Sequence, residues 1–443
     1  MLAQFRRKHK LSSRIKDLEN KEIDRSGDLK TSGSALNKNA EPAQTRQGAF
    51  TLAPIAASRF LSLFSVGFGF VMLAWLGALK GSMQLVGQLF LAGSLTTILV
   101  SVFAGALADR RSRLALIRSA WMVRLAGICL LMLGTIENRA LIFGLFAYSM
   151  TTAVSGALGA GAMDAAFQNA VPASRRVDLS VKLEILRQLG LVCGMGSSGF
   201  LLNAYHAFAP VSLLLVTLAL QVALFEIWLS RYANGSCRNG QGIWRFWLAG
   251  VRSACRNRHV AVSMLAASLL FSIAQLTNLL APVFVKETLE RGSDLYGMLE
   301  SAWSAGGAAL LLLVSLNSAA ASRERVEFLL LIAIGLLMIV FAATRNIPSL
   351  VVLYAILGGL FSLTRALCDG RLLALVSTEE IGRVRSASVM LSSFTGIVIF
   401  LAPTIFRNED VVLYYCIWGG IVALIGLVAT FAGGGGKEKT ISL

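Results

Sequence analysis

The sequence predicts an all-α membrane protein of twelve transmembrane helices arranged as two pseudo-symmetric halves of six. Three observations predict it. The 443 residues are 56% hydrophobic and only 15% charged, with a mean hydropathy of +0.68, whereas soluble domains carry about 25% charged residues. Apolar runs of the length a bilayer demands, about 20 residues, recur twelve times after residue 60. The loops joining those runs alternate between rich and poor in basic residues.

Residues 1–53 are polar, with Arg6, Arg7, Lys8 and Lys10 early and Asp17, Glu19, Glu22 and Asp24 following. This composition predicts a disordered cytoplasmic tail, and no apolar core follows the basic cluster as a signal peptide requires. The apolar runs lie near 60–79, 84–107, 114–136, 140–163, 180–203, 208–229, 260–284, 295–316, 327–344, 348–370, 386–405 and 411–432. The longest polar interruption, residues 231–258, divides the chain into a first half (54–230) and a second (259–433), with residues 434–443 as a closing cytoplasmic tail. Parallel six-helix halves are a transporter architecture. In the linker, Ile243, Trp244, Phe246, Trp247, Leu248 and Val251 alternate with Arg245, Arg252 and Arg256. That pattern suits an amphipathic helix on the inner leaflet or, equally, a loop helix packed on the bundle.

Orientation follows from the short loops, whose basic residues stay on the cytoplasmic face. Loops after even-numbered runs carry Arg110, Arg111, Arg113, Arg118, Arg175, Arg176, Lys182, Arg231, Arg238, Arg245, Arg252, Arg256, Arg258, Arg323, Arg325, Arg383 and Arg385. Loops after odd-numbered runs carry only Lys80, Arg139, Lys286, Arg291, Arg345 and Arg407. Both termini are therefore expected in the cytoplasm. The same distribution accounts for the net charge of +17 without a nucleic-acid partner, which would need a basic patch on a soluble domain.

Several classes lose support. Cys129, Cys193, Cys237, Cys255, Cys368 and Cys416 form no C-x-x-C pair, and His9, His206 and His259 are far apart, so neither disulfides nor a metal site is expected. No G-x-x-x-x-G-K-[ST] loop is present, which argues against an ATP-driven pump. The expectation is a non-enzyme without cofactors.

A faint internal repeat supports the two halves. Ala162-Met163-Asp164 and Leu367-Cys368-Asp369 end the fourth run of each half, and Arg111-Ser112-Arg113-Leu114 and Arg323-Glu324-Arg325-Val326 follow each second run. The stretch Gly105-Ala106-Leu107-Ala108-Asp109-Arg110-Arg111-Ser112-Arg113 resembles the G-x-L-A-D-R-x-G-R-[RK] loop of the major facilitator superfamily, with Ser112 in place of Gly and Leu114 in place of the last basic residue. Physically, Gly105 permits close helix packing and the Asp109 carboxylate can meet another helix's N-terminus. The resemblance implies a gating role for Gly105, Asp109, Arg110 and Arg113. A loop that only obeys the positive-inside rule is the plainer account.

In the fifth run, Gly194, Gly196 and Gly199 make a G-x-G-x-x-G string, with Gly190 four residues before it. No strand precedes it, so a dinucleotide site fails. It is similar to the G-x-x-x-G-P-x-x-G-G motif of antiporters in the superfamily, with Met195 for Pro and Ser198 for Gly, and it predicts close helix packing. Gln168-Asn169-Ala170-Val171-Pro172, Arg187-Gln188-Leu189-Gly190, Tyr296-Gly297-Met298-Leu299 and Gly382-Arg383-Val384-Arg385-Ser386 are similar to the branch of enterobactin exporters and macrolide efflux proteins. The resemblance implies a multi-pass, monomeric protein of the bacterial inner membrane.

Charges inside apolar runs cost roughly 2.5–3.5 kcal/mol each on insertion scales and so single out candidates. Glu184, Asp164, Asp369 and Glu300 are candidates for proton coupling, with Arg124, Arg187 and Arg365 as charge partners. Glu184 and Arg187 share a helix face, as do Arg365 and Asp369. For each, a structural ion pair is the competing account. Trp75, Gln275 and Asn278 are candidates for the substrate cavity, because runs one, four, seven and ten face it in the resembled family. An interfacial Trp and a helix-to-helix hydrogen bond are the alternatives. The function the resemblance implies is proton-coupled export of a small amphiphilic molecule, a drug or siderophore-like metabolite, across the lipid bilayer by alternating access. Import of a siderophore or peptide, and a non-transporting receptor, remain as alternatives.

Overall fold

The computed structural model describes residues 52–110, 112–137, 140–170, 176–205, 207–230, 258–315, 326–376, 381–406 and 410–432. Among them the apolar runs become twelve helices: α1 (Leu52–Lys80), α2 (Met83–Arg110), α3 (Arg113–Ile136), α4 (Leu141–Ala170), α5 (Arg176–Ala204), α6 (Phe208–Leu224), α7 (Arg258–Val283), α8 (Ser293–Ser315), α9 (Val326–Ala343), α10 (Ile347–Leu375), α11 (Ile381–Phe406) and α12 (Val411–Ala432). Short π turns, Phe225–Leu229 and Phe284–Thr288, extend α6 and α7. Eleven of the twelve are long and apolar enough to span a membrane. The exception is α11, whose apolar stretch is Leu391–Phe406 because its first turns carry Arg383, Arg385 and serines. Nearly all of the expected tail, the linker from 231 to 257, and the closing segment from 433 lie outside the described residues.

Several helices overrun their apolar runs. Helix α1 begins at Leu52, inside the expected tail, with Pro54 in its first turn, where its missing N–H costs nothing. Helix α4 runs on to Ala170 and α10 to Leu375. Hydrophobicity marks only the part that crosses hydrocarbon, whereas backbone hydrogen bonding continues through polar residues until a cap or turn ends it. Four starts are set by side-chain caps. The Ala115 N–H donates to Ser112 Oγ at 3.2 Å, Gln84 N–H to Ser82 Oγ at 3.3 Å, Ser349 N–H to Asn346 Oδ1 at 3.1 Å and Leu413 N–H to Asp410 Oδ1 at 3.1 Å.

The helix pairings repeat with six added to each number. Helices α3 and α4 pack together, as do α9 and α10; α2 packs on α4 and α8 on α10; α3 packs on α6 and α9 on α12. Helix α1 lies against α5 through Gly190 and Gly194, and α7 lies against α11. Between the first six helices and the last six, the main contacts are α5 with α8 and α2 with α11, and α2 also touches α7. Helices α1 and α7 are the most enclosed spans: 61% and 72% of their apolar windows are buried, against 44% or less elsewhere. Outward positions such as Leu99, Met122, Ile136, Phe143, Phe200 and Val398 stay exposed, as lipid-facing side chains do.

Backbones approach closely at glycine seams. A Cβ at Gly358 of α10 would fall 2.1 Å from the Trp303 carbonyl of α8, and one at Gly306 1.9 Å from the Ala355 carbonyl. Hydroxyls inside the spans mostly return to carbonyls one turn back, as Thr96 does to Ala92 at 2.7 Å and Thr364 to Leu360 at 2.7 Å, which satisfies them without a partner helix.

Candidate functional site

The two sets of six helices meet at the ends joined by the odd-numbered loops, and the seam there is built on main-chain carbonyls. In α5 and α8, Gly199 and Gly297 touch backbone to backbone: a Cβ at Gly199 would lie 2.4 Å from Ser293 O and 2.7 Å from Gly297 Cα. Ser293 Oγ donates to Gly199 O at 2.8 Å and Ser301 Oγ to Val192 O at 2.9 Å. In α2 and α11, Gln84 Nε2 donates to Pro403 O at 3.4 Å, and Phe90 stacks on Phe400 with centroids 5.5 Å apart. Lys286, beyond α7, donates to the Ala78 and Gly81 carbonyls at the end of α1. Trp75 of α1 stacks on Tyr296 of α8 at 6.1 Å. Trp75 is buried, so in this conformation it is part of the seam.

One helical turn beyond Tyr296 lies Glu300, two turns inside α8 and 4% exposed. Tyr354 Oη of α10 donates to Glu300 Oε1 at 3.0 Å, and no cation pairs with Glu300 among the described residues. Aromatic rings surround the pair: Trp303 and Phe341 lie 5.1 and 5.2 Å from Tyr354, and Phe341 and Phe284 lie 5.5 and 5.8 Å from Tyr415. The hydroxyls of Tyr296 and Tyr415 are buried without a hydrogen-bond partner. The cluster is a single carboxyl in an apolar, aromatic interior with one donor aimed at it. Its protonation and the packing around it must depend on each other, because a buried charge is tolerated only when paired or well hydrogen-bonded.

The first set of helices holds a buried charge of opposite sign. Arg124 of α3 is 6% exposed, Nη2 donates to Ser65 Oγ of α1 at 2.9 Å, and Nε has no partner. It lies on the face of α3 that also buries Trp121, Gly127 and Leu131. Nearer the even-numbered loops, Arg118 donates to both carboxylate oxygens of Glu226 at 2.8 and 2.7 Å, tying α3 to the π turn after α6. That pair is half-exposed and adds orientation more than stability.

The remaining candidates divide by place. Gly105, Asp109 and Arg110 fall in the last turns of α2, with side chains outside the described residues. Arg113 opens α3 behind the Ser112 cap, so the serine that departs from the superfamily loop has a role in starting the next helix. Asp164 and Glu184 occur in α4 and α5, their side chains also outside the described residues. Arg187 is half-buried on α5. Arg365 is exposed on α10 and Asp369 half-buried. Gln275 and Asn278 are half-buried on α7, with Gln275 lying against Gly396 of α11. Sequence reasoning missed Tyr354, Tyr415, Ser65, Glu226 and the docking of Lys286. Glu226 was open to discovery as a charge within an apolar run; the others carry no local signal.

The profile of the Major Facilitator Superfamily matches residues 55–403. No curated protein matches the chain. Among solved structures, the chain is similar to a bacterial homologue of the iron transporter ferroportin in an inward-facing state (TM-score 0.66, 13% identity, 85% of this chain and 98% of that one). It is also similar to the nucleoside transporter NupG (0.61, 14%, 86% and 98%) and to the POT family transporter PepTSo (0.62, 14%, 88% and 98%). At such identities the likeness is one of fold.

Proposed function

The chain belongs to the Major Facilitator Superfamily, and from that premise we propose that it is a secondary active transporter exporting a small amphiphilic molecule in exchange for protons. The observation that carries the proposal is Glu300: a lone carboxyl buried in α8, held by Tyr354, one turn from the ring that stacks on Trp75 across the seam. A carboxyl whose protonation is linked to packing, placed beside the contact that opens and closes, is the element a proton-driven carrier needs. Alternating access then moves the first six helices (54–230) against the last six (259–433). Asp109 and its loop, Gly105 to Arg113, gate the even-loop side and the seam closes the odd-loop side.

In this reading the even loops, the tail, the linker 231–258 and residues 434–443 face the cytoplasm of a bacterial inner membrane, and the protein works as a monomer. Glu184, Asp164 and Asp369 are the second choice for coupling. Export of a drug or siderophore-like metabolite follows from the resemblance of the fifth-span glycines to the antiporter motif. The test is proton flux in inside-out vesicles energised by respiration and reporting internal pH with an acridine dye. Addition of lipophilic drugs or catecholate siderophores should release protons in vesicles carrying the protein and not in empty ones. Uptake by right-side-out vesicles would replace export with import, and binding without flux would favour a receptor.

A further inference from the structure

We infer that Lys286 is a latch that holds the odd-loop side of the transporter closed by capping the C-terminal end of α1. Helix α1 ends at Lys80, so its last four carbonyls have no partner within the helix. Gly81 N–H closes on one of them, Gly77 O, at 3.0 Å. Another, Ala78 O, accepts from Lys286 Nζ, as does Gly81 O at 3.5 Å. A cation there also meets the negative end of the helix dipole. The lysine comes from the other set of six helices, so the bond exists only while the two sets meet.

The backbone that carries Lys286 is irregular in three ways, which aim it across the seam. Pro282 sits inside α7 and lacks an N–H for the preceding turn. The helix widens into a π turn at Phe284–Thr288, a feature that concentrates at functional sites. Two residues later Glu290 is held at φ 52°, a left-handed conformation that costs about 1 kcal/mol or more in a residue other than glycine. The turn is anchored below by Phe284 and Val285, both fully buried. Phe284 packs on Phe341 and Tyr415, the same rings that enclose Tyr354 and Glu300. Lys286 therefore stands on the aromatic cluster that holds the buried carboxyl, while its ammonium grips the opposing set. Glu287 Oε1, 3.7 Å away, is the nearby carboxylate that receives the ammonium when it leaves α1.

The latch rests on the alternating-access reading, and one experiment separates the two. With the six native cysteines replaced, spin labels at Tyr205 and Phe406, both exposed and at odd-loop ends of α5 and α11, report separation across the seam in reconstituted full-length protein. Lys286→Met keeps the stem and removes the charge; Lys286→Arg keeps the charge. The latch predicts that Lys286→Met raises the long-distance population about fivefold, the factor a helix-end charge supplies, and that Lys286→Arg matches the parent. A Lys286→Met distribution identical to a parent that does interconvert would overturn the latch alone. A single unchanging distance in parent and variants, at any pH or with any added compound, would overturn alternating access and the latch with it. If Lys286→Met does not fold, Lys286→Gln in the same measurement gives the same decision.

Discussion

Tyr354 Oη donates to Glu300 Oε1 at 3.0 Å in the interior of the last six helices, joining α10 to α8 where no cation is present among the described residues. A hydrogen bond to an ionised group contributes about 1.5–3 kcal/mol, so this bond is large enough to bias a transporter between two conformations separated by a few kcal/mol.

Glu300→Gln is isosteric, keeps an acceptor for Tyr354 and removes the exchangeable proton. The expected outcome is normal abundance and melting temperature, retained substrate exchange down a gradient, and loss of proton-driven transport by at least tenfold. Gradient-driven flux of parent and variant in proteoliposomes checks it.

Tyr354→Phe leaves the ring packing against Trp303 and Phe341 and deletes the donor. Transport should fall several-fold and its pH profile should move relative to the parent, while Glu300→Gln with Tyr354→Phe should be no worse than Glu300→Gln alone. A double-mutant cycle on transport rates measures that coupling.

Arg124 is a buried cation whose hydrogen bond among the described residues is to Ser65, and its Nε has none. Replacing a poorly paired buried charge by an apolar residue of like volume is neutral or stabilising by about 1–4 kcal/mol. Arg124→Met is therefore expected to keep or raise the melting temperature while lowering transport, and thermal melts beside transport assays separate the two effects.

Gly194 and Gly199 should fail differently although they share one helix. A Cβ at Gly194 would meet Phe64 O of α1 at 2.2 Å, within the first six helices, and one at Gly199 would meet Ser293 O across the seam at 2.4 Å. Gly194→Ala is expected to lower stability by about 1–3 kcal/mol. Gly199→Ala is expected to leave stability within about 1 kcal/mol, because the seam can part, and to shift the protein toward the odd-loop-open state. Melting curves and cysteine accessibility at Trp75 report the two outcomes.

Asp109→Asn preserves size and removes the charge at the end of α2. Transport should drop several-fold with normal insertion, and labelling from the even-loop side should increase. Unchanged transport would leave the Gly105 to Arg113 loop as an orienting signal only.

The fold was legible because the bilayer imposes one rule on every span: apolar length with all backbone groups bonded internally. That rule reveals the twelve spans but not their ends, which is why Leu52 and Ala170 turned out to be helical. Gly190 and Gly194 stand four residues apart on α5, and a Cβ at either would meet the backbone of Phe60 or Phe64 of α1. Glu300 was visible as a charge in an apolar run. Its partner Tyr354 lies 54 residues away on another helix, and no local pattern marks a tertiary hydrogen bond between side chains. Lys286 looked like one more orienting loop charge, since its role depends on a π turn that the sequence does not announce.

We propose that protonation of Glu300 is linked to movement of the two sets of helices. The most direct test is the Tyr205 to Phe406 spin-label distance in membranes, measured from about pH 5 to about pH 8 in the parent and in Glu300→Gln. Among the described residues, the titratable groups that interact with Glu300 are Tyr296, Tyr354 and Tyr415, and none of these is a carboxylate or histidine that titrates in that window. The parent is expected to redistribute between short and long distances across this range, and Glu300→Gln to stay unchanged. Equal redistribution in the variant, or none in the parent, would contradict it.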